Sequence, residues 1–204
     1  MKNNYQVLME EEIERTKSAG KRPTLLLQCC CAPCSSSVLE RLNEHFNLKL
    51  YFYNPNIYPK SEYEKRLLQF DKLLANNGGI GIIKPVYEPD IFENAIKGLE
   101  SEKEGGRRCE QCFILRLYET ARKAKEIGAH YFCTTLTVSP HKNAELLNKI
   151  GLDAEKQFGV KYLISDFKKK DGYKRSTVLS EELGLYRQNY CGCKYSIWFD
   201  EKND

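Results

Sequence analysis

The chain has 204 residues, a formal net charge of +4 and nine cysteines, and no linker or shift in composition divides it, so one domain over residues 1–204 with a full hydrophobic core is the expectation. The charge is too mildly basic to announce a nucleic-acid partner by itself, and no apolar run approaches the ~18 residues of a membrane span. The opening MKNNYQVLMEEEIER is charged rather than an apolar leader, so a soluble, cytoplasmic protein is expected, and in that reducing setting an odd number of cysteines favours metal or thiol chemistry over a disulfide scaffold.

Residues 1–22 read as an N-terminal extension. Beyond them, short apolar, aromatic-rich runs predict strands at 24–29 (TLLLQC), 48–53 (LKLYFY), 81–87 (GIIKPVY), 130–135 (HYFCTT) and 160–165 (VKYLIS). Charged segments of helical period between them predict helices at about 34–46, 60–76, 90–99, 109–127, 140–157 and 173–183. Such alternation predicts a doubly wound α/β domain with a mainly parallel five-stranded sheet, because parallel strands need crossovers and these are nearly always right-handed. Ligands in such sheets sit beyond the carboxyl ends of the strands.

After the first predicted strand comes LQCCCAPCSS, with Cys29, Cys30, Cys31 and Cys34. A nucleotide-binding sheet would carry glycines here, to bring backbone N–H groups against phosphate. Single cysteines are usually small buried hydrophobes, but four within six residues are poorly explained that way. A thioredoxin-like Cys31/Cys34 pair at a helix start is an alternative, and it leaves the adjacent cysteines without a role. The second group, GGRRCEQCFILRLYETA, places Cys109 and Cys112 at the start of an amphipathic helix, approached through Gly105 and Gly106. Together the two groups can supply four thiolates to one metal centre.

Ligand type leaves zinc and iron–sulfur both open. The separation of Cys34 from Cys109 far exceeds the roughly 15–20 residues of a zinc ribbon, and adjacent ligands are awkward as two corners of one tetrahedron, which favours iron–sulfur. The radical-enzyme pattern CxxxCxxC fails because position 37 is serine.

Cys133, inside the fourth predicted strand, reads as a core residue. His141 reads as a helix-start residue, and Asp166, at the end of the fifth strand, as a cap, a proton carrier or an iron ligand. Lys168, Lys169, Lys174, Arg175 and Arg187 follow among tyrosines. Such a run is often only a solvated face, but aromatic rings stack on unpaired bases while the cations neutralise phosphates; YNPNIYPKSEYEKR at 53–66 is similar. Last, NYCGCKYS sets Cys191 and Cys193 about Gly192. They are a zinc corner, idle thiols, or a strained and readily reduced disulfide serving as a two-electron store.

CCAPC (30–34), GLESEKEGGRRCEQCFILRL (98–117), SDFKKKDGY (165–173) and GLYRQNYCGC (184–193) together resemble the signature set of the QueH-type, cobalamin-independent epoxyqueuosine reductases, over nearly the whole chain from Leu25 to Cys193. The resemblance implies a Rossmann-like, HUP-type domain. It also implies an activity, removal of the epoxide oxygen of epoxyqueuosine at the wobble position of tRNA to give queuosine, with electrons from a donor the sequence does not identify. By position, Cys30, Cys31, Cys109 and Cys112 would bind a 4Fe-4S cluster, and Cys191 and Cys193, in a C-terminal redox segment at 184–204, would form a redox-active disulfide. An additional adjacent iron is implied, with Asp166 or Cys34 beside it. Cys29, preceding the pair, departs from the family pattern. The competing readings are a HUP-fold tRNA sulfurtransferase, which would need a Gly/Ser-rich pyrophosphate loop after the first strand, and a non-catalytic zinc-stabilised RNA-binding module.

Overall fold

The computed structural model describes residues 4–75 and 77–196. In chain order the elements are α1 (Tyr5–Ser18), β1 (Thr24–Gln28), α2 (Ala32–Leu42), β2 (Asn47–Tyr51), α3 (Lys60–Ala75), β3 (Gly81–Ile83), α4 (Pro89–Ala95), α5 (Arg107–Glu126), β4 (Tyr131–Thr134), a 3-10 turn (Thr135–Val138), α6 (Ala144–Phe158), β5 (Lys161–Tyr162) and α7 (Gly172–Glu182). The sheet runs β3-β2-β1-β4-β5 and every pair is parallel. This is the doubly wound α/β arrangement expected, with the strand order reversing between β1 and β4.

Both faces of the sheet are covered, and the alternation of side chains along β1 decides which residue faces which layer. Leu25 and Leu27 join Val38 and Leu39 of α2 and Phe70 of α3. Leu26 points the other way, to Leu117 of α5 and Leu147 of α6. Each of these leucines has no exposed surface, and burying one is worth about 1.5–3 kcal/mol relative to leaving it in water. Cys133 belongs to the first of these layers, its thiol donating to the Leu163 carbonyl at 3.2 Å.

Where element bounds depart from the sequence expectation, the reasons are local. β3 stops at Ile83 because Pro85 cannot donate to a ladder and restricts Lys84 before it. α2 begins at Ala32, earlier than position 34, since Pro33 fits the first helical turn without a lost hydrogen bond. α6 begins later than expected, at Ala144, because the Asn143 side chain caps it by accepting from the Glu145 and Leu146 amides.

The helix α1 falls in the segment read as an extension. Only Gln6, Met9 and Thr16 on it are buried, so its apolar signal is weak; polar ties to the body dock it instead. Glu12 accepts from Lys161 at 2.8 Å, from Arg15 at 2.6 Å and from the Tyr131 hydroxyl. Partial burial opposes the Glu12 charge, yet these hydrogen bonds hold its pKa down, from 4.5 to about 2. A carboxylate whose folded pKa is depressed stabilises fully above its unfolded value and loses that contribution as pH falls through the folded one. Glu12→Gln is therefore expected to lower the urea midpoint at pH 7, with the difference from the parent chain closing as pH falls from 4.5 toward 2. A difference that stays constant down to pH 2 would contradict this docking role.

Candidate functional site

The site begins where β1 runs out. The Cys29 amide continues the ladder, donating to the Tyr51 carbonyl at 2.9 Å. Alternation therefore sends the Cys29 side chain with Leu25 and Leu27 into the core, where it has no exposed surface and burial pushes its thiol pKa well up. The extra cysteine of the sequence is thus a core residue. Cys30 faces the opposite way. Its amide donates to the Thr135 hydroxyl at 3.2 Å, and that hydroxyl donates to Cys30 Sγ at 3.5 Å. Residue 30, just past β1, is so tied to residue 135, just past β4, at the reversal of strand order.

Cys31 is the N-cap of α2, in extended conformation with no side-chain capping bond, and Cys34 lies in the first turn. The Sγ atoms of Cys30, Cys31 and Cys34 all lie within 4.8 Å of one another, and those of Cys30 and Cys31 are 3.7 Å apart. Hydrogen bonds from the Cys31 and Cys34 thiols draw the Cys30 pKa well below the ordinary thiol range, with the Arg116 charge adding to the effect. The same bonds push Cys31 up to about 12 and Cys34 well up.

The second group is carried on α5. Gly105 has φ of +84°, a left-handed conformation that glycine adopts without strain, and this turns its amide to donate to Cys109 Sγ at 3.2 Å. Cys112, nearly one turn further on, is buried with Phe92, Ile96 and Cys193. Burial raises the pKa of both thiols, that of Cys112 to about 12.

The third group arrives from the far end of the chain and is fastened by Arg66 of α3. The buried Arg66 pairs with Glu62 at 2.7 Å and donates to the Cys191 carbonyl at 3.2 Å. Desolvation works against the Arg66 charge, but Glu62 more than offsets it and the pKa rises. The Gly192 carbonyl accepts from the Tyr58 amide at 2.8 Å. It has φ of +114°, and a Cβ there would stand 2.8 Å from Arg66 Nη1, so both conformation and space require glycine. Cys193 is buried, whereas Cys191 is half-buried and accepts from Lys142 Nζ at 3.5 Å. The nearby Cys191 sulfur raises the Lys142 pKa.

Two cavities share the Cys191 wall. One, of about 700 Å³, is lined by Cys30, Cys34 and Cys191 with Arg66, Arg116 and Arg187. The other, of about 70 Å³, lies among Cys109, Cys112, Cys191 and Cys193. Gly105, His141 and Lys142 line both. The three cysteine segments thus meet at one rim of the sheet. Among the described residues the compact trio is Cys30, Cys31 and Cys34; Cys109 and Cys112 lie outside it, against the smaller cavity. All the described cysteines are free thiols.

The basic residues divide. Arg187 faces the thiol cavity, held by the Ser176 carbonyl at 3.2 Å and Ser180 Oγ at 3.1 Å. Lys168 and Lys169 line a different cavity, of about 1080 Å³, bounded by α1 and the start of α6. Asp166 lies there too, ion-paired to Lys168 at 2.5 Å, and does not line the cavity of Cys30 and Cys34. Lys174 is exposed, and Arg175 is engaged with Glu40 at 2.6 Å and Glu182 at 3.6 Å. Residues 197–204 of the expected C-terminal redox segment lie outside the described residues.

Sequence reasoning missed Arg66, Arg116 and Lys142. The i,i+4 spacing of Glu62 and Arg66 is a signal for the first. For Arg116 the only hint is an arginine on the Cys112 face of α5, one turn on.

The family model for epoxyqueuosine reductase QueH matches residues 25–198. Relatives that carry that name include one from Streptococcus pyogenes serotype M1, 42% identical over 202 residues, which span 96% of this chain and 78% of the relative. One from Staphylococcus epidermidis is 43% identical over 206 residues, 96% of this chain and 87% of the relative. A Thermotoga maritima relative is 39% identical over 177 residues, 85% of this chain and 90% of the relative. A thiol-lined rim at the strand-order reversal, matched over nearly its whole length by proteins of one name, places this chain in the epoxyqueuosine reductase QueH family.

Proposed function

We propose that this chain reduces epoxyqueuosine at the wobble position of tRNA to queuosine. The overall change consumes two electrons and two protons, breaks both carbon–oxygen bonds of the epoxide, leaves a carbon–carbon double bond and releases water. The observation that carries this reading is the meeting of three distant cysteine segments around two adjoining cavities, with Cys30 and Cys34 on the larger, Cys109 and Cys112 on the smaller, and Cys191 in the wall of both.

The donor set fits a sulfur-bound redox metal. Thiols dominate the rim, Cys30 is shifted toward thiolate, and the Gly105 amide already donates to Cys109 sulfur. We assign Cys30, Cys31, Cys109 and Cys112 to a 4Fe-4S cluster, and Cys34, the remaining member of the compact trio, to an additional adjacent iron. When bound, such a group supplies one-electron reduction and Lewis acidity toward the epoxide oxygen.

This chain's own residues do the rest. The cavity of about 700 Å³ has room for a single extruded nucleotide. Arg187 and the half-exposed Tyr173, with the guanidinium 5.7 Å from the ring centroid, offer a cation and a stacking face at the mouth. Lys168, Lys169, Lys174 and Arg175 lie along the neighbouring surface and are assigned to tRNA phosphates. Cys191 and Cys193 form the two-electron thiol store, refilled by a separate electron donor, and Lys142 holds a proton 3.5 Å from Cys191 sulfur.

The first test is anaerobic purification with iron and acid-labile sulfide measured together. Brown protein containing both is expected, and Cys109→Ser is expected to lose most of the colour and sulfide. A single zinc without sulfide would sink the reductase assignment of these thiols and favour a zinc-stabilised RNA-binding module, which three sulfurs within 4.8 Å also suit. The second test separates the store from the metal centre. Cys191→Ser should retain iron but lose multiple turnover on tRNA bearing epoxyqueuosine; loss of the metal in this variant, or undiminished multiple turnover, would remove Cys191 from the assigned role.

A further inference from the structure

Arg108, Arg116 and Lys142 stand among the thiols with no carboxylate in ion-pair contact among the described residues. Arg108, 1% exposed, donates through Nη1 to the Glu100 and Glu102 carbonyls, and its Nε and Nη2 have no partner. The hydrogen bond of Lys142 goes to Cys191 sulfur. Arg116, 2% exposed, donates through Nη2 to Asn54 Oδ1 at 2.6 Å and leaves Nε unpartnered. Arg66, equally buried, shows the ordinary solution, since Glu62 pairs with it. Among the described residues Glu104 is the only carboxylate lining either thiol cavity, and it is exposed.

Burying a cation without a counter-charge costs several kcal/mol, so a fold that keeps one here places negative charge beside it. Of the three, Arg116 is the one hydrogen-bonded to Asn54. Its partner Asn54 also donates to the Cys29 carbonyl at 2.9 Å and accepts from Gln28 at 3.3 Å, and Gln28 accepts from Thr134 at 2.8 Å. The guanidinium is thereby fixed to the ends of β1 and β4, where the Cys30 loop starts. It shares the wall of the larger cavity with Cys30, and on α5 it lies one turn beyond Cys112 on the same buried helix face.

We propose that Arg116 is a positioning residue for charge: it balances the negative charge of the cluster held by Cys30 and Cys112 and thereby raises the cluster's reduction potential. The inference rests on the cluster assignment above. A thiolate-ligated cluster becomes more negative on reduction, and a fixed cation in a low-dielectric wall stabilises the reduced form more than the oxidised one. Arginine suits the position because its charge is delocalised and more weakly hydrated than an ammonium, which lowers the cost of keeping it out of water.

The test compares full-length Arg116→Met and Arg116→Lys with the parent chain, each purified anaerobically and titrated for cluster reduction potential by electron paramagnetic resonance. Arg116→Met is expected to titrate at lower potential, and Arg116→Lys close to the parent. An unchanged potential in Arg116→Met overturns the proposal, including when the Michaelis constant for tRNA rises, since that result would make Arg116 a phosphate contact. Should Arg116→Met fail to take up iron, urea unfolding of the metal-free proteins decides. Gln28 still satisfies Asn54 in the variant, so a metal-free Arg116→Met at least as stable as the metal-free parent supports the charge role. A less stable one marks Arg116 as a structural strut and overturns it. Iron and sulfide in the parent are the separate readout of the cluster assignment, and their absence there overturns that assignment and this inference with it.

Discussion

The parallel pairing of β1 with β4 is the constraint from which the site follows. Leu27 lies opposite Cys133 and Gln28 opposite Thr134, so the next residues on each chain, past the ladder, diverge together at the point where the sheet's winding reverses. Chain direction and side-chain alternation then leave no freedom. Cys29 must turn into the core and Cys30 must turn to the opposite face, where Thr135 meets it. A slip of one residue in this register would bury Cys30 and turn Cys29 toward the cavity. The Gln28, Thr134 and Asn54 network, fully buried, is what resists such a slip, because each of its hydrogen bonds would be left unmade in an apolar interior.

Bringing in the last cysteines is a different physical problem, since no strand delivers them. The segment after α7 carries too little apolar surface to fix itself, although Leu185 and Cys193 are buried. Its position comes from backbone groups received by the body: the Gly192 carbonyl by the Tyr58 amide, and the Cys191 carbonyl by Arg66. Arg66 can do this only because Glu62, itself accepting from the Tyr186 hydroxyl, keeps the charge balanced out of water. A buried ion pair of this kind adds little net stability compared with well-packed apolar groups. It does specify one geometry, and here that geometry sets Cys191 between the two cavities.

The parts legible in sequence were those that repeat a simple period. Five apolar runs alternating with amphipathic segments pointed to the layers and the parallel sheet, and two of the three cysteine groups stood at loop-to-helix junctions. What escaped was set by isolated polar contacts. α1 buries few side chains and docks through Glu12, so no hydrophobic period announces it. Asp166 looked like a neighbour of the thiols because it ends the fifth predicted strand, yet its pairing with Lys168 turns it toward the other cavity. Arg116 lies inside the motif at 98–117 without standing out in it; burial without a carboxylate partner distinguishes it from an ordinary helix-surface arginine.

The same electrostatics that a doubly wound sheet offers a phosphate are here turned toward sulfur. In nucleotide-binding sheets, glycines after the first strand let the free N–H groups of a helix N-terminus approach an anion. In this chain α2 starts at the same place, but Cys31 occupies its N-cap without a side-chain capping bond and Cys34 its first turn. The start of α5 adds the Gly105 amide to Cys109 sulfur. Two helix N-termini, each with a partial positive charge that fades within one turn, thus adjoin thiols rather than a bound phosphate. With Arg116 and Lys142 also facing these sulfurs, the rim carries positive charge before any thiol ionises. Cations so placed favour an anion at this rim over a neutral group.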